Sequence, residues 1–480
     1  MKATSRTIRI ALVAALGGFL LGFDATVISG AVPFIRDYFG LGGTSGSLAL
    51  GWAVSSLGWG AMAGNLCTGV LSDRYGRRSV LLLTAVLFFG SSLLAATAHS
   101  YPMFIVARIL GGLAVGAAIL AAPMYIAEIA PADRRGLLVA TNQLMIVIGI
   151  SASFFSNDLI LTTVAGSWRW MLGVEAIPAL IFLALLVTVP ESPRWLLARG
   201  RHREALEVMR AVRGSDADHE LEKIQAASAG RARSWPSLFG RRMRFVMVFA
   251  AGLAFFQQIT GINAVLYYLP SIFTQAGGGL ESAFRQAAVV GAVNLVMTVV
   301  AMRWIDRLGR KPLLILGTAG MAAALLTISW AFRAGTGATG APVAHPVVVL
   351  TAIVAFVASF AISLGPVTWV MVAEIFPNEQ RALAVSVVGF WNSLVSATVT
   401  LVFPWEVAHW GTSGTFLGYG ALAVAALAFV LLLGPETRGK TLEEIEQSFL
   451  GKRLWRARVE PVRGGAPAGE GPAPNPGSAR

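Results

Sequence analysis

The chain has 480 residues and a formal net charge of +13, with 55% hydrophobic but only 13% charged residues. Soluble domains carry about a quarter charged residues, so a string of soluble domains is excluded. One cysteine, Cys67, excludes a disulfide framework and a thiolate metal cluster, and the Lys and Arg excess lies in short loops and tails where it reports membrane topology, not nucleic-acid binding.

Lys2, Arg6 and Arg9 precede the first apolar run. A secretory signal begins in the same way. Here Asp24 interrupts the run and the small-residue cleavage pattern is unconvincing, so the segment reads as a retained first helix. A spanning helix takes about 20 apolar residues. Such runs fall near 10–30, 48–70, 79–98, 102–127, 136–160 and 169–189. Six more fall near 244–275, 284–304, 312–333, 346–374, 382–403 and 413–433.

The spacing predicts a six-helix bundle at 1–189, a linker at 190–243, a second six-helix bundle at 244–433 and a tail at 434–480. The linker is rich in arginine, and Ala205, Leu206, Val208, Met209 and Val212 recur near helical spacing. This predicts short amphipathic helices on the inner membrane face. The tail past about 460 is rich in Pro, Gly and Ala and is expected to be disordered. Lys and Arg concentrate in alternate loops, which puts both termini and the linker in the cytoplasm. The predicted fold class is all-α and integral to a membrane. It has twelve transmembrane helices in two pseudo-symmetric six-helix bundles, with short cytoplasmic helices between them.

Three motifs occur twice, each pair about 240 residues apart, and such internal repetition marks a duplicated architecture. Asp73-Arg74-Tyr75-Gly76-Arg77-Arg78 recurs as Asp306-Arg307-Leu308-Gly309-Arg310-Lys311. Ala127-Glu128-Ile129-Ala130-Pro131, followed by Arg135, recurs as Ala373-Glu374-Ile375-Phe376-Pro377, followed by Arg381. Pro190-Glu191-Ser192, followed by Arg194, recurs as Pro435-Glu436-Thr437. Paired halves with a site between them near midplane characterise many secondary transporters. The acids and arginines of these motifs fall at cytoplasmic helix ends. Asp73, Arg77, Glu128, Arg135, Glu191, Arg194, Asp306, Arg310, Glu374 and Arg381 are therefore expected to form a cytoplasmic gate, pairing across the halves when that side closes. The alternative is that they only fix tight turns and topology.

These motifs identify a family resemblance. The chain resembles the sugar porter family of the major facilitator superfamily over about residues 10–450. The resemblance rests on LLGFDATVISG, GVLSDRYGRR, RILGGLAVG and YIAEIAPADRRG in the first half. PESPRWLL, QQITGINAVLYY, GPVTWVMVAEIFPNEQR and PETRGKTLEEIE follow. It implies the major facilitator fold, closest in pattern to bacterial sugar–proton symporters.

Ionisable residues inside spanning helices are costly and usually functional. Asp24 and Arg108 stand out. Burial favours the neutral acid and a nearby arginine favours the carboxylate, so a pair that forms and breaks can carry one proton per cycle. A permanent structural ion pair is the alternative. The resemblance implies the first role, since proton-coupled members carry an acid at the position of Asp24 facing an arginine at that of Arg108.

A sugar site needs neutral groups that both donate and accept, as side-chain amides do. Gln257, Gln258 and Asn263 cluster in the seventh run, with Gln143 in the fifth, Asn294 in the eighth, and Trp369 and Trp391 in the tenth and eleventh. The alternative for a lone amide is helix–helix glue. The resemblance implies sugar contacts at these positions, together with Tyr267 and, less firmly, Tyr268. Ile150 and Leu394 stand where relatives offer amides, and Leu21 replaces an aromatic, so the sugar itself stays open. Pro270 and Pro366 are expected to bend the seventh and tenth helices.

The expected function is import of a hexose, a pentose or a related polyol by proton symport through alternating access. A facilitative uniporter and a sugar sensor are the alternatives. No enzyme chemistry, cofactor or metal site is expected. The partners are the sugar, the proton and the lipid bilayer, without nucleic acid. The chain is expected to work as a monomer in a bacterial inner membrane.

Overall fold

A computed structural model describes residues 2–131, 134–164, 167–213, 243–334, 345–376 and 378–436. The middle of the linker and the tail beyond Glu436 lie outside the described residues.

Every regular element among the described residues is an α-helix. The first half comprises α1 (Lys2–Tyr38), α2 (Gly43–Tyr75), α3 (Arg77–Ala96), α4 (Tyr101–Ile129), α5 (Arg135–Thr163), α6 (Trp168–Gly173) and α7 (Ala176–Val187). Two short helices follow, α8 (Pro193–Ala198) and α9 (His202–Arg213). The second half comprises α10 (Arg244–Ile259), α11 (Ile262–Tyr267), α12 (Leu269–Gln275), α13 (Leu280–Leu308), α14 (Arg310–Ala334), α15 (Pro346–Ile362), α16 (Leu364–Ile375) and α17 (Asn378–Leu433).

Ten segments among the described residues are long and apolar enough to cross a membrane, some of them two helices read through a break. One of these, Leu383–Leu433, has 51 residues. At 1.5 Å per residue it would reach about 75 Å if straight, more than twice the hydrocarbon thickness. It is not straight. Gly411 has φ 70° and ψ 166°, outside the helical region. Tyr419 donates a 2.7 Å hydrogen bond back to Glu406, and the rings of Phe403 and Tyr419 stack at 6.3 Å. Residues so far apart in one straight helix would be separated by about 20 Å, so the chain reverses at Gly411 and crosses twice. α2 is too rich in Gly and Ser to count among the ten, yet it has 33 residues and packs between α4 and α17. These two corrections bring the crossings among the described residues to twelve.

Within the first half, α1 and α5 meet backbone to backbone. A Cβ on Gly22 would overlap the Ile146 carbonyl, and one on Gly149 would overlap that of Phe19. The two glycines let the helices approach as only small residues do.

Three spans are broken. The sixth breaks at Val174–Glu175, between α6 and α7. The seventh breaks at Gly261, where φ is +85°, and again at Tyr268, with Pro270 in the first turn of α12. The tenth breaks at Ser363, with φ −127° and ψ −99°. The breaks therefore sit before Pro270 and Pro366, not at them.

In the linker, α9 buries Ala205, Met209 and Val212. They face protein: α9 packs against α1, and Thr7 Oγ1 donates to the Val212 carbonyl at 3.3 Å. The apolar face expected to lie on the bilayer is covered by the first helix.

The two halves meet along three seams: α1 with α11 and α12, α2 with α17, and α5 with α13. Ser151 Oγ donates to the Gly291 carbonyl at 2.7 Å across the last of these. Gly51 lies on the Leu401 backbone and Gly58 beside Ala397 across the second. Ser151 lies past the midpoint of α5, while Gly51, Gly58 and Gly291 lie before the midpoints of their helices. These contacts therefore run from mid-helix toward the face opposite the N-terminus.

Candidate transport site

The first half places an ion pair inside the bundle. Asp24 on α1 and Arg108 on α4 are 2% and 3% exposed. Arg108 Nη1 donates to Asp24 Oδ1 at 2.5 Å, and Nη2 donates to the Asp24 carbonyl at 3.4 Å. The second carboxylate oxygen, Oδ2, has no hydrogen-bond partner among the described residues. It points at Gly111, where a Cβ would collide with it. The pair is thus lopsided, with one oxygen held and one available.

Two further groups lie within the field of this pair. Glu175, at the break between α6 and α7, is 2% exposed, and its Oε1 has no hydrogen-bond partner among the described residues. Asp24 and Arg108 are the charges that act on it. Glu175 joins Asp24 and Arg108 as a third intramembrane charge, one not expected from the sequence. An acid inside the apolar run 169–189 is the signal for this third one. Tyr267, half-buried on α11, also feels the charges of Arg108 and Asp24. The second half thereby reaches the ion pair.

The second half holds a linked set of amides. Gln257 and Gln258 end α10, and Asn263 lies past the Gly261 break on α11. Gln257 Nε2 donates to the carbonyls of Leu364 and Gly365, at 2.7 and 3.3 Å, beside the Ser363 break. Gln258 Nε2 donates to Asn392 Oδ1 at 3.2 Å. Asn263 Nδ2 donates to Gln258 Oε1 at 2.9 Å and to Ser396 Oγ at 2.7 Å. Asn392 Nδ2 closes the set by donating to Gln257 Oε1 at 2.7 Å. Asn392 and Ser396, both on α17, are members not expected from the sequence. They restore hydrogen-bonding capacity on the helix where Leu394 removes it.

Trp391 is 38% exposed, stacks on Phe255 and donates Nε1 to the Ala251 carbonyl at 3.2 Å. Trp369 on α16 is half-buried, Asn294 on α13 is buried, and Gln143 on α5 is exposed. Among the described residues, no hydrogen bond links these last three to the amide set. Tyr268 points elsewhere: it is 3% exposed, and its ring packs on Phe403 at 5.0 Å.

The profile of the family described as "Sugar (and other) transporter" matches residues 10–449. The chain belongs to this family, the sugar porters of the major facilitator superfamily. The D-xylose–proton symporter of Escherichia coli (strain K12) is 39% identical over 478 residues, covering 91% of this chain and 94% of that protein. The D-xylose transporter of Levilactobacillus brevis is also 39% identical, over 442 residues, with the same coverage. The inward-open conformation of the xylose transporter XylE from E. coli matches with a TM-score of 0.80 at 35% identity, covering 92% of this chain and 99% of that one.

In this sugar porter the repeated motifs form two matched clasps. Gly76 and Gly309 both have positive φ, 97° and 93°, at the turn between two spanning helices. The Glu191 carboxylate accepts from the N–H groups of Arg77 and Arg78, at 2.9 and 3.0 Å. Glu436 accepts from those of Arg310 and Lys311, at 3.1 and 3.0 Å. Each acid sits at a helix N-terminus, where backbone donors and the helix dipole favour an anion. A side chain on either glycine would strike that carboxylate. Arg77 pairs with Glu128 at 3.1 Å and Arg310 with Glu374 at 2.8 Å. Asp73 pairs with Arg77 at 3.3 Å, and Ser192 donates to Glu128.

The gate residues are expected to pair across the halves when the termini side closes. Among the described residues, the ion pairs of these motifs join helices of the same half. Arg194 lies within the field of Glu128, also in its own half. Arg135 opens α5, and Arg381 Nη2 donates to the Phe376 carbonyl at 3.4 Å. The side chain of Asp306 lies outside the described residues.

Proposed function

We propose that this chain imports a monosaccharide by proton symport through alternating access. The observation that carries this reading is the lopsided Asp24–Arg108 pair in the first half, together with a hydrogen-bonded amide cluster in the second. A buried carboxylate with one oxygen held and one open can take a proton at Oδ2. Protonation neutralises the acid and loosens its hold on Arg108. The helix of Asp24, α1, packs on α11 and α12 of the second half, so the protonation state of the pair can bias how the halves sit.

Sugar hydroxyls bind the neutral groups. Gln257, Gln258 and Asn263 supply the core of that site, with Tyr267, Asn294, Gln143, Trp369 and Trp391 around it. Two relatives named for D-xylose make a pentose the first substrate to test, with a hexose or polyol next. The clasps hold the termini-side helix ends of each half, so that each half moves as a body. Positive-inside loops place that face in the cytoplasm of a bacterial inner membrane. The half-to-half seam then closes the outer side, which makes this the inward-facing state. Each chain carries the whole site, so a monomer suffices.

The test is uptake into proteoliposomes from a panel of pentoses, hexoses and polyols, with and without an imposed proton gradient. Accumulation above the external concentration, abolished by a protonophore, is the expected result. Equilibration of a sugar with no response to the gradient would establish a uniporter instead.

A further inference from the structure

We infer that Asn392 and Ser396 are positioning residues that fix the hydrogen-bonding polarity of the Gln257–Gln258–Asn263 face of the sugar site, so that this face receives sugar hydroxyls as donors. The inference rests on the reading that Gln257, Gln258 and Asn263 contact the sugar.

The amide hydrogens of this cluster are all taken up by the protein. Each side-chain amide carries two N–H donors and one carbonyl oxygen with two lone pairs. Gln257 Nε2 has the Leu364 and Gly365 carbonyls, at 2.7 and 3.3 Å. Gln258 Nε2 has Gln257 Oε1 and Asn392 Oδ1, at 3.4 and 3.2 Å. Asn263 Nδ2 has Gln258 Oε1 and Ser396 Oγ, at 2.9 and 2.7 Å. Asn392 Nδ2 has the Ala254 carbonyl and Gln257 Oε1, at 3.1 and 2.7 Å. Every nitrogen of the four amides therefore faces two protein acceptors, and none has an N–H left over. What remains to meet a ligand is oxygen: second lone pairs on Gln258 and Asn392, and the Asn263 carbonyl. Ser396 keeps one hydroxyl hydrogen.

Asn392 sets this polarity. It is 8% exposed. Its Nδ2 holds the oxygen end of Gln257, which turns the nitrogen of that side chain toward the tenth-helix break. Its Oδ1 holds the nitrogen end of Gln258, which turns that oxygen toward Asn263. Ser396 does the same for Asn263 from one turn further along α17. An apolar residue at 392 would free both glutamines to rotate and offer N–H groups to the ligand.

The experiment is competition against uptake of the parent sugar, D-xylose or D-glucose, whichever the wild type takes up. The competitors are mono-deoxy and mono-deoxyfluoro analogues of that parent. A deoxy position neither donates nor accepts; a C–F bond accepts weakly and does not donate. The wild type should reject both analogues equally at the contacted hydroxyl, by roughly threefold to tenfold, the worth of one hydrogen bond. In Asn392→Leu the fluoro analogue should compete about threefold better than the deoxy analogue. Ser396→Ala should move the ratio the same way, and it decides the matter if Asn392→Leu does not insert. A purely structural role would slow transport and leave the fluoro-to-deoxy ratio at its wild-type value; an unchanged ratio in a variant that still transports overturns the inference. Gln258→Ala separates the two levels. Retained sugar binding there overturns the sugar-site reading itself, whereas lost binding with an unchanged ratio in Asn392→Leu overturns only the positioning role.

Discussion

Asp24 illustrates what one side chain can do when its environment is asymmetric. Oδ1 is fixed by Arg108 at 2.5 Å, and Oδ2 faces the space over Gly111. Asp24→Asn keeps the shape and removes the titratable oxygen. It should abolish accumulation against a gradient while leaving sugar exchange across the membrane within about twofold of wild type, because a neutral isostere mimics the protonated acid. Counterflow and gradient-driven uptake, measured on the same vesicles, decide this; intact accumulation would remove Asp24 from the coupling role. Arg108→Ala should be much more damaging, since removing one partner strands a buried charge at a cost of about 3–5 kcal/mol. Detergent melting of the purified variants reads that difference. Both residues are readable from sequence, because a charge inside an apolar run announces itself. Asn392 is not. One amide on a spanning helix looks like interhelical glue, and its partners lie more than a hundred residues away on α10, so only the folded bundle joins them.

At the scale of helices, the apolar runs and the duplicated motifs predict the order of elements but not their close approaches. The Gly17, Gly18 and Gly22 spacing in the first helix suits close packing, but Gly149 is not distinguishable by sequence from Gly90, which also lies inside a spanning helix. In the structure Gly149 and Gly90 are opposites. Gly149 lies against the Phe19 backbone, while nothing stands within 4 Å of a Cβ on Gly90. Gly22→Ala should push α1 off α5 and destabilise by about 1–3 kcal/mol, the usual penalty of overpacking. Gly90→Ala should be neutral or stabilising by about 0.5–1 kcal/mol, since it only removes backbone freedom. Thermal shifts of the two variants in one detergent check the contrast; equal shifts would deny the backbone contact. The helix breaks were only half readable for a related reason. Proline marks the neighbourhood, but the seventh helix breaks at Gly261, where Tyr419 packs so close that a side chain would collide with its ring. The packing partner comes from the far end of the chain.

For the whole molecule, the repeat predicts two bodies, and the structure adds where they touch. The seams of α2 with α17 and α5 with α13 lie on one side of the bundle, and the clasps lie within each body on the other. A rocking cycle must open these seams once per turnover, so locking one should stop transport without dismantling either half. Gly58 and Ala397 offer the site. A Cβ on Gly58 would lie 3.1 Å from the Cβ of Ala397, and disulfide-linked Cβ atoms sit about 3.5–4.5 Å apart, so a small relaxation accommodates the bond. Cys67, the native thiol, is exposed and has to be replaced by serine first. In that background, Gly58→Cys with Ala397→Cys should transport when reduced, fall to roughly a tenth of that rate or less when oxidised, and recover with reductant, because crossing the barrier now requires breaking a covalent bond. The oxidised protein should still bind sugar offered from the termini side. Full transport in verifiably cross-linked protein would mean that this seam does not open, and the two-body cycle would have to be abandoned for a motion confined to the broken helices.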